Sequence, residues 1–590
     1  MLPKLLLVAL LSATASATLD VFYGEYKFPE EPLKTVNLLP PTRNSNAPQL
    51  CHASWAFATT SAMSALFNKA QKGAFPEVVL SPQMLIQTRP KEIEFTCKDG
   101  LKTPIEQVFN HLLTKGVSDE GCNNFHANDT LANGDRLAEC KDCHNDEDHN
   151  KESVCEFVPY QAHKLNSFRK IKSNLTEEKD RNNDLKEQAV LSLSNNGPLV
   201  CEVQFSAKLF RFRTKRWEFY VDEKPDLSSW FVLTGYSKTL VPGKELVTLM
   251  SSFGENVGYL GHLAVETPPD KNPLNVFGEC FELVINPQTE PVTLGPSSPS
   301  PLSLLKKVKR VRRRSRASLN QGLRPALSHL PVNEGVQLRS DPQPIDWRNH
   351  LGRNHLTHTK NQHVPVYCGS CWTQAGLSLL ADKANIERIK AGRVFPKINL
   401  ANQAVINCKL GGSCNGGDTT LLFQKAKSWV VPVETCAPYL SRNPAKFDCA
   451  PAGVCSLIVP GDDKPLVFEK YSGVRVKSLK RVRGAEFMKA ELANGPISCS
   501  FHVTHSFVRF FEGPKDEVKV WKTGYDFVNP NHQIEVVGWN SKDGSDYWIA
   551  RNSWGKEWGK HGFFYIEAGK NLLGFEAECV SAEAEFVSFE

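Results

Sequence analysis

The sequence predicts an α+β protein made of two tandem, related units joined by a disordered basic linker. The first observation is an internal repeat, because short motifs in residues 36–287 recur in the same order in residues 344–580. The second is that each repeat opens with a helix-like pattern and that the second repeat later carries an apolar, strand-like run. The third is a segment near 295–316, rich in Pro, Ser, Lys and Arg, whose composition cannot bury a core.

The repeat rests on six matched motifs. The pairs are Leu50 to Trp55 with Tyr367 to Trp372, Gly73 to Pro76 with Gly392 to Pro396, Leu80 to Gln83 with Leu400 to Gln403, Asn196 to Cys201 with Asn494 to Cys499, Gly235-Tyr236 with Gly538-Trp539, and Ser252 to Gly254 with Ser553 to Gly555. Because these motifs keep one order, we expect the two halves to share one fold.

The 590 residues therefore divide into four predicted regions. They are a signal peptide at 1–17, a first unit at 18–287, a linker at 288–343 and a second unit at 344–590. The first region has the Lys, the short apolar run and the small-residue end that are typical of a cleaved signal peptide. It is too short to cross a membrane, and no later stretch is long and apolar enough to do so.

A signal peptide directs the chain to the secretory pathway, where its seventeen cysteines can form disulfides. We therefore expect a lysosomal or extracellular protein. Two sequons, Asn128-Asp129-Thr130 and Asn174-Leu175-Thr176, permit glycosylation in that compartment.

One short run, Lys306 to Arg316, supplies more than the whole net charge of +6. A nuclear-localisation signal does not fit a chain with a signal peptide, and no nucleic-acid partner is expected. A patch that binds polyanions is a second interpretation. The favoured interpretation is a cleavage site for a secretory processing protease that cuts at dibasic sequences.

The candidate catalytic residues lie in the second unit. Cys371 begins a predicted amphipathic helix, with one face formed by Trp372, Ala375, Leu379, Ile386 and Ile389. A helix N-terminus is expected to lower the pKa of that thiol. A thiolate needs a base and a group that orients the base, and His532 and Asn552 follow in that order.

Each of these residues also has an ordinary interpretation. A secreted Cys is usually a disulfide partner, and a single His at the start of a strand is usually a core residue. The segment Asn552 to Gly555 could be a simple turn. Their joint occurrence, with Gln362 upstream, favours catalysis.

In these motifs the second unit resembles the papain family of cysteine peptidases. The resemblance implies two lobes, one helical around the Cys helix and one β-rich with the His and Asn, and a cleft between them. It implies that Cys371 is the nucleophile, His532 the base, Asn552 the orienting group, and Gln362 a donor to the oxyanion. It also implies that Gly416 and Gly417 pair with an extended substrate.

Within that family the second unit resembles the cathepsin Z group, because three extra residues separate Gln362 from the Cys-Gly-Ser-Cys motif. In that group a loop His binds the carboxylate of the substrate, and the enzyme removes single C-terminal residues. The resemblance assigns this role to His363. One departure is Glu535, which must either face water or have a partner, because burying it unpaired would be costly.

The first unit lacks these catalytic residues. The repeat places Ser54 at the nucleophile position, Ser229 at the base position, Ser251 at the orienting position and Ser45 at the glutamine position. A serine without a base is not activated, and His262 lies elsewhere in the repeat. We expect an inactive unit, retained as a cleft that captures peptides or inhibitors.

The number of cysteines is even in the first unit and odd in the second, so one thiol of the second unit has no disulfide partner. Cys371 is the cysteine with a catalytic context, and we expect it to be that thiol. The family resemblance, and not the count, implies the pairing. The implied disulfides are Cys51–Cys97, Cys122–Cys140, Cys143–Cys155, Cys201–Cys280, Cys368–Cys414, Cys408–Cys449, Cys436–Cys455 and Cys499–Cys579.

The predicted function is hydrolysis of peptide bonds, with peptide or protein substrates and removal of single C-terminal residues. Two alternatives remain open: an endopeptidase of the same family, and a catalytically inert protein that binds peptides or inhibitors. No metal is expected, because Cys and His show no zinc spacing, and no organic cofactor is implied.

Overall fold

The structure is a computed structural model. It describes residues 21–22, 26–28, 31–36, 38–47, 49–130, 140–145, 153–215, 218–238, 243–292, 330–338, 340–393, 396–444, 449–512, 517–525 and 529–589. The predicted signal peptide and the basic run of the linker lie outside these residues.

The first unit combines helices with a sheet. Its helices span Ser54–Ala70, Pro82–Thr88, Ile105–Thr114 and Glu178–Asn195, with 3-10 turns at Ala207–Arg211 and Pro273–Asn275. The main sheet has the order His262–Glu266, Leu246–Met250, Leu227–Ser237, Leu199–Phe205, Glu279–Ile285 and Leu165–Lys170, and Val21–Phe22 pairs with Leu227–Ser237. Smaller pairs are Tyr26–Phe28 with Glu31–Val36, Phe95–Thr96 with Gly100–Leu101, Lys141–Asn145 with Ser153–Phe157, and Tyr160–Ala162 with Glu290–Val292.

The second unit repeats this plan. Its helices span Cys371–Lys390, Asn402–Asn407, Thr419–Lys425, Pro451–Val454, Ala485–Leu492 and His505–Phe511, with 3-10 turns at Glu434–Cys436 and Leu572–Gly574. The main sheet has the order Val431–Pro432, Gly473–Val482, Cys579–Val587, Ile497–Phe501, His532–Lys542, Ser545–Arg551, Phe563–Glu567 and Val520–Trp521, and Ile345–Asp346 pairs with His532–Lys542. Two further pairs are Gly412–Ser413 with Gly416–Gly417, and Ser456–Leu457 with Leu466–Val467.

Matched residues make matched contacts in the two units. Asn68 donates to Val78 O at 3.2 Å and accepts from Val78 N at 2.8 Å. In the second unit Asn385 donates to Ile398 O at 3.0 Å and accepts from Ile398 N at 3.1 Å. The same side chain thus holds the same loop after each long helix, and the prediction of two related α+β units is confirmed.

The Cys371–Lys390 helix is not amphipathic, so that prediction was wrong. All of its residues from Trp372 to Ile386 are buried. It packs against the His532–Lys542 and Cys579–Val587 strands on one side and against the Thr419–Lys425 helix on another. Several of its polar residues bond to other side chains, for example Lys383, whose Nζ donates to Ser581 Oγ at 2.7 Å.

The two units share one of their hydrophobic cores. The second unit contributes Val433, Cys436, Val454, Cys455, Leu457, Val459 and Phe468 to a buried cluster that also contains Phe210, Phe253 and Val257 of the first unit. Burial of apolar side chains is the main favourable term in association, at about 25 cal/mol per Å². The units are therefore packed together rather than joined only by a tether.

Both ends of the predicted linker contact a unit. Glu290–Val292 pairs with Tyr160–Ala162 in the first unit. Val332 forms a parallel bridge with Arg481 in the second unit.

The described residues contain seven disulfides, with the pairing that the family resemblance implied. They are Cys51–Cys97, Cys122–Cys140, Cys201–Cys280, Cys368–Cys414, Cys408–Cys449, Cys436–Cys455 and Cys499–Cys579. Cys143 is also disulfide-bonded, and it lies opposite Cys155 in the register of two antiparallel strands. Within the described ranges, no helix has the length and apolar character needed to cross a membrane.

Candidate active site

Cys371 is the first residue of its helix and the free cysteine of the described part of the chain. Its side chain is partly exposed. Burial raises the pKa of the thiol, while hydrogen bonds from the backbone N–H groups of Gln533, Trp372 and Cys371 itself act in the opposite direction. The predicted lowering of the pKa by the helix N-terminus is therefore wrong for the isolated thiol, because desolvation outweighs the backbone dipoles.

His532 lies beside Asn552, with His532 Nε2 and Asn552 Oδ1 2.8 Å apart. The same Oδ1 also accepts from Ser553 N at 2.8 Å, which fixes the orientation of the amide. Since a carbonyl oxygen only accepts, His532 Nε2 carries the hydrogen. The other ring nitrogen, Nδ1, is then the basic atom of the neutral ring.

The His532 ring is enclosed. Trp554 covers it with ring centroids 4.9 Å apart, and Phe501 lies at 5.9 Å. Burial lowers the pKa of His532 to about 4, although the hydrogen bond with Asn552 opposes this shift. The imidazole is therefore neutral at mildly acidic pH and able to accept a proton.

Gln362 is almost completely buried, and its amide is fixed at both ends. Nε2 donates to Cys368 O at 3.0 Å, and Oε1 accepts from Ser553 Oγ at 2.6 Å. Gln362 N also donates to Ser553 O at 2.8 Å. The NH₂ group thus faces Cys368, three residues before Cys371.

Tyr439 and Ser441 support Gln362 from behind, and the sequence did not point to them. Tyr439 Oη donates to Gln362 O at 2.8 Å and lies 2.7 Å from Ser370 Oγ. Ser441 Oγ donates to the same carbonyl at 3.1 Å. No motif surrounds these two residues, so only the fold could reveal their role.

Glu535 has a partner, which decides between the two possibilities raised by the sequence. Arg551 donates to Glu535 Oε2 through both Nε and Nη2, and Nη2 also contacts Asp382 Oδ2 at 2.5 Å. All three side chains are at most 3% exposed. Burial, with the nearby Asp382 carboxylate, raises the pKa of Glu535 well above its usual value, against the opposing charge of Arg551.

His363 lies on the loop between Gln362 and Cys368, and its ring contacts other aromatic rings. Its ring stacks on Tyr367 with centroids 4.7 Å apart and planes 12° from parallel. The Trp554 ring, which covers His532, is 6.4 Å away. His363 N donates to Asn361 Oδ1 at 2.9 Å. The loop thus brings a second imidazole to the aromatic cluster around His532.

Gly416 and Gly417 form a short strand beside the catalytic helix. A Cβ at Gly417 would lie 2.5 Å from the Trp372 ring, and Gly416 has a φ of 113°. Only glycine therefore allows this backbone to lie on the residue that follows Cys371.

In the first unit, the four serines occupy the equivalent places. Ser54 is the first residue of its helix, and its Oγ accepts from Trp230 N at 3.2 Å. Ser229 pairs with Val203, as His532 pairs with Phe501.

The other two serines match in their backbone contacts. Ser251 N donates to Gly261 O at 3.0 Å, as Asn552 N donates to Gly562 O at 2.9 Å. Ser45 N donates to Ser252 O at 2.8 Å, which is the contact that Gln362 makes with Ser553 in the second unit.

His262 is not at the base position of the first unit. It begins the His262–Glu266 strand, is 1% exposed, and its Nδ1 is 3.0 Å from Leu260 O. Burial lowers the pKa of His262 to about 4. It is a buried core histidine.

Comparisons with known proteins show which sequences this chain is similar to. Cathepsin Z of Onchocerca volvulus is 36% identical over 262 residues, which are 42% of this chain and 81% of the relative. Pro-cathepsin H of Mus musculus is 29% identical over 249 residues, 41% of this chain and 64% of the relative.

Among solved structures, bromelain of Ananas comosus is 24% identical, with a TM-score of 0.32, and covers 42% of this chain and 100% of its own. Digestive procathepsin L 3 of Tenebrio molitor is 20% identical, with a TM-score of 0.33, and covers 42% of this chain and 72% of its own. The sequence profile described as papain family cysteine protease matches residues 38–272 and residues 341–585. The chain belongs to the papain family of cysteine proteases, and both of its units carry the family fold.

Proposed function

We propose that the second unit is a carboxypeptidase that removes single C-terminal residues with Cys371, His532, Asn552 and Gln362. The observation that carries the proposal is the position of His363, on a loop inserted between Gln362 and the nucleophile and within the aromatic cluster around His532. Similarity to Cathepsin Z supports it. An endopeptidase and an inert binding protein are the alternatives.

The first step is attack by sulfur. The Cys371 S–H proton moves to His532 Nδ1 as sulfur bonds to the scissile carbonyl carbon, whose π electrons move to oxygen. Burial disfavours each charged form by itself, but the thiolate and the imidazolium stabilise each other when formed together. The Gln362 amide and the Cys371 backbone N–H donate to the oxyanion, which contributes roughly 3–4 kcal/mol per donor.

The tetrahedral intermediate then collapses to a thioester. The C–N bond breaks, and the amine leaves with the proton from His532 Nδ1. A water molecule next gives a proton to His532 and attacks the thioester carbon, and the Cys371 sulfur leaves and recovers its proton. Asn552 keeps Nδ1 aimed at these groups throughout, because it holds Nε2–H.

The inserted loop supplies the end preference. His363 and its neighbours lie beside the site, where the residue after the scissile bond would bind, so that a long chain cannot continue. A protonated His363 donates a charge-assisted hydrogen bond to the terminal carboxylate, worth roughly 1.5–3 kcal/mol. The backbone of Gly416 and Gly417 pairs with the extended substrate on the other side of the bond.

The first unit has no peptidase activity in this proposal. Ser54 accepts a hydrogen bond from Trp230 N and has Ser229, not a histidine, at the base position. The predicted boundaries at 18–287, 288–343 and 344–590 and cleavage of the linker by a secretory processing protease remain proposals. The disulfides and the cathepsin relatives fit the secretory pathway or the lysosome.

Mass spectrometry of a peptide incubated with the purified chain tests this function. We expect products shortened one residue at a time from the C-terminus, and no turnover with Cys371→Ala. The matched variant Ser54→Ala should retain the full rate, since it makes a similar change at the equivalent position. Residual turnover with Cys371→Ala would show that Cys371 is not the nucleophile. Cleavage of internal peptide bonds by the wild-type protein would show that it is an endopeptidase.

A further inference from the structure

The contacts between the two units repeat when equivalent residues are exchanged. A Cβ at Gly254 of the first unit would lie 3.2 Å from Thr435 Cβ of the second. Gly555 of the second unit is the equivalent of Gly254. The Cys122–Cys140 disulfide of the first unit corresponds to Cys436–Cys455 of the second, so Gly121, which precedes Cys122, is the equivalent of Thr435, which precedes Cys436. A Cβ at Gly121 would lie 3.6 Å from Gly555 Cα. The contact of Gly254 with Thr435 thus recurs, with the two units exchanged, as the contact of Gly555 with Gly121.

The neighbouring contact repeats in the same way. Asn256 Nδ2 of the first unit lies 3.1 and 3.2 Å from the two sulfurs of the Cys436–Cys455 disulfide in the second unit. Its equivalent, Glu557, has its carboxyl group within 4.8 Å of the two sulfurs of the Cys122–Cys140 disulfide in the first unit. Those sulfurs are bonded to each other, so this group is not a metal site.

Two equivalent ion pairs line one cavity between the units. Arg43 and Glu120 of the first unit are 2.8 Å apart, and Lys360 and Glu434 of the second are 3.1 Å apart. All four line a cavity of about 90 Å³ to which both units contribute. Contacts that persist on exchange define an isologous interface with an approximate two-fold axis.

On a two-fold axis, a residue faces its own equivalent. Glu77 follows Pro76 and Lys397 follows Pro396 in matched motifs, so they are equivalent residues. They contact each other across the interface, with Lys397 Nζ and Glu77 Oε2 2.8 Å apart and both side chains 8% exposed. Lys397 Nζ also donates to Leu356 O at 2.8 Å.

This axial pair has opposite charges only when unlike units meet. Two copies of the second unit would place Lys397 against Lys397, and two copies of the first would place Glu77 against Glu77. Buried like charges without a partner are strongly unfavourable. We propose that the first unit is a permanent subunit of the second, bound through a pseudo-two-fold interface. The Glu77–Lys397 pair makes the second unit bind the first unit rather than another copy of itself. The two stay bound when the linker is cut.

Other contacts make the docked state stable. Beyond the shared apolar core, Asn44 Nδ2 donates to Thr435 O at 2.9 Å, and Asn46 Nδ2 donates to Ile458 O at 3.0 Å. The seven disulfides described above each join cysteines of one unit, so none of these seven ties the two units together.

The docked unit also reaches the support of the catalytic site. Asn124 Nδ2 of the first unit donates to Tyr439 O at 2.8 Å. The Tyr439 hydroxyl in turn donates to Gln362 O. Loss of the first unit would therefore remove the contact of Asn124 with Tyr439, the residue that itself contacts the proposed oxyanion donor Gln362.

Native mass spectrometry of a cut chain tests the proposal. The full chain is prepared with a recognition sequence for a site-specific protease in place of Lys306 to Arg316 and is cut after folding. We expect one complex with the summed mass of the two pieces, and no pairs of like units, from micromolar to nanomolar concentration. Separate pieces at micromolar concentration, or pairs of like units, would overturn the proposal.

Charge exchange tests the axial pair. Glu77→Lys alone or Lys397→Glu alone places like charges together, so the cut pieces should dissociate at about 100-fold higher concentration or more. The double exchange Glu77→Lys with Lys397→Glu should restore pairing to within a few-fold, even if a single variant folds poorly. The control Lys102→Glu changes an exposed pair with Asp99 inside the first unit and should leave dissociation unchanged. A double exchange that dissociates as easily as the single variants would overturn the role of the pair.

Discussion

Asn552 Oδ1 accepts hydrogen bonds from two neighbours, His532 Nε2 at 2.8 Å and the backbone N–H of Ser553 at 2.8 Å. The second bond fixes the amide, and the fixed amide fixes which nitrogen of His532 bears the hydrogen. The orientation of the proposed base is thus determined by backbone geometry one residue further along the chain.

Asn552→Ala should lower kcat by about 10- to 100-fold with a smaller effect on KM, because the imidazole loses the bond that sets its tautomer. Steady-state kinetics on a peptide substrate measures the change. Lys542→Ala, an exposed change at the end of the same strand as His532, is the matched control and should keep the wild-type kcat. An unchanged kcat for Asn552→Ala would show that the hydrogen bond does not orient the base.

The buried Arg551 should matter far more for stability than the buried Glu535. Arg551→Met leaves Asp382 without its cation and should cost about 3–5 kcal/mol. Glu535→Gln should cost about 1 kcal/mol or less, because burial raises the pKa of Glu535 and so favours the neutral carboxyl group, whose shape the amide keeps. Thermal unfolding midpoints of the two variants compare these costs. A larger loss for Glu535→Gln would mean that Glu535 is ionised in the folded protein.

Glu557 should make the folded chain less stable as the pH rises. Burial, with the nearby charge of Asp119, raises the pKa of Glu557 from 4.5 to about 7, against the opposing charge of Lys556. Between these two values the folded state keeps a proton that the unfolded state has released. Stability therefore falls from pH 4.5 to about 7 and levels off above, by roughly 3–4 kcal/mol in total.

The variant Glu557→Gln, which cannot ionise, should lose this part of the pH dependence. The measurement is the thermal midpoint of both proteins across the same pH range. Parallel curves for wild type and variant would show that Glu557 titrates normally.

The fold, and which residues lie together in the candidate site, could be predicted from the sequence because both depend on the order of recognisable motifs. Recognisable motifs contain Gln362, His532 and Asn552. The repeat aligned Ser229 with His532, and the strand register agrees with that alignment. The roles of these residues in catalysis stay predictions.

Other features could not be predicted, because they depend on burial and on contacts distant in sequence. The direction of the Cys371 pKa shift is set by desolvation, which no motif encodes. The partner of Glu535 follows it by 16 residues, on an adjacent strand. The pairing of Glu77 with Lys397 requires the two units to meet, and the repeat alone says only that these residues are equivalent.

The comparison of a peptide free acid with its C-terminal amide tests the proposed carboxypeptidase most directly. A charge-assisted bond from His363 to the carboxylate should favour the acid by about ten-fold or more in kcat/KM. His363→Ala should abolish this preference, because the carboxylate loses its donor, while the amide rate changes little. Equal kcat/KM for acid and amide in the wild-type protein would contradict the account.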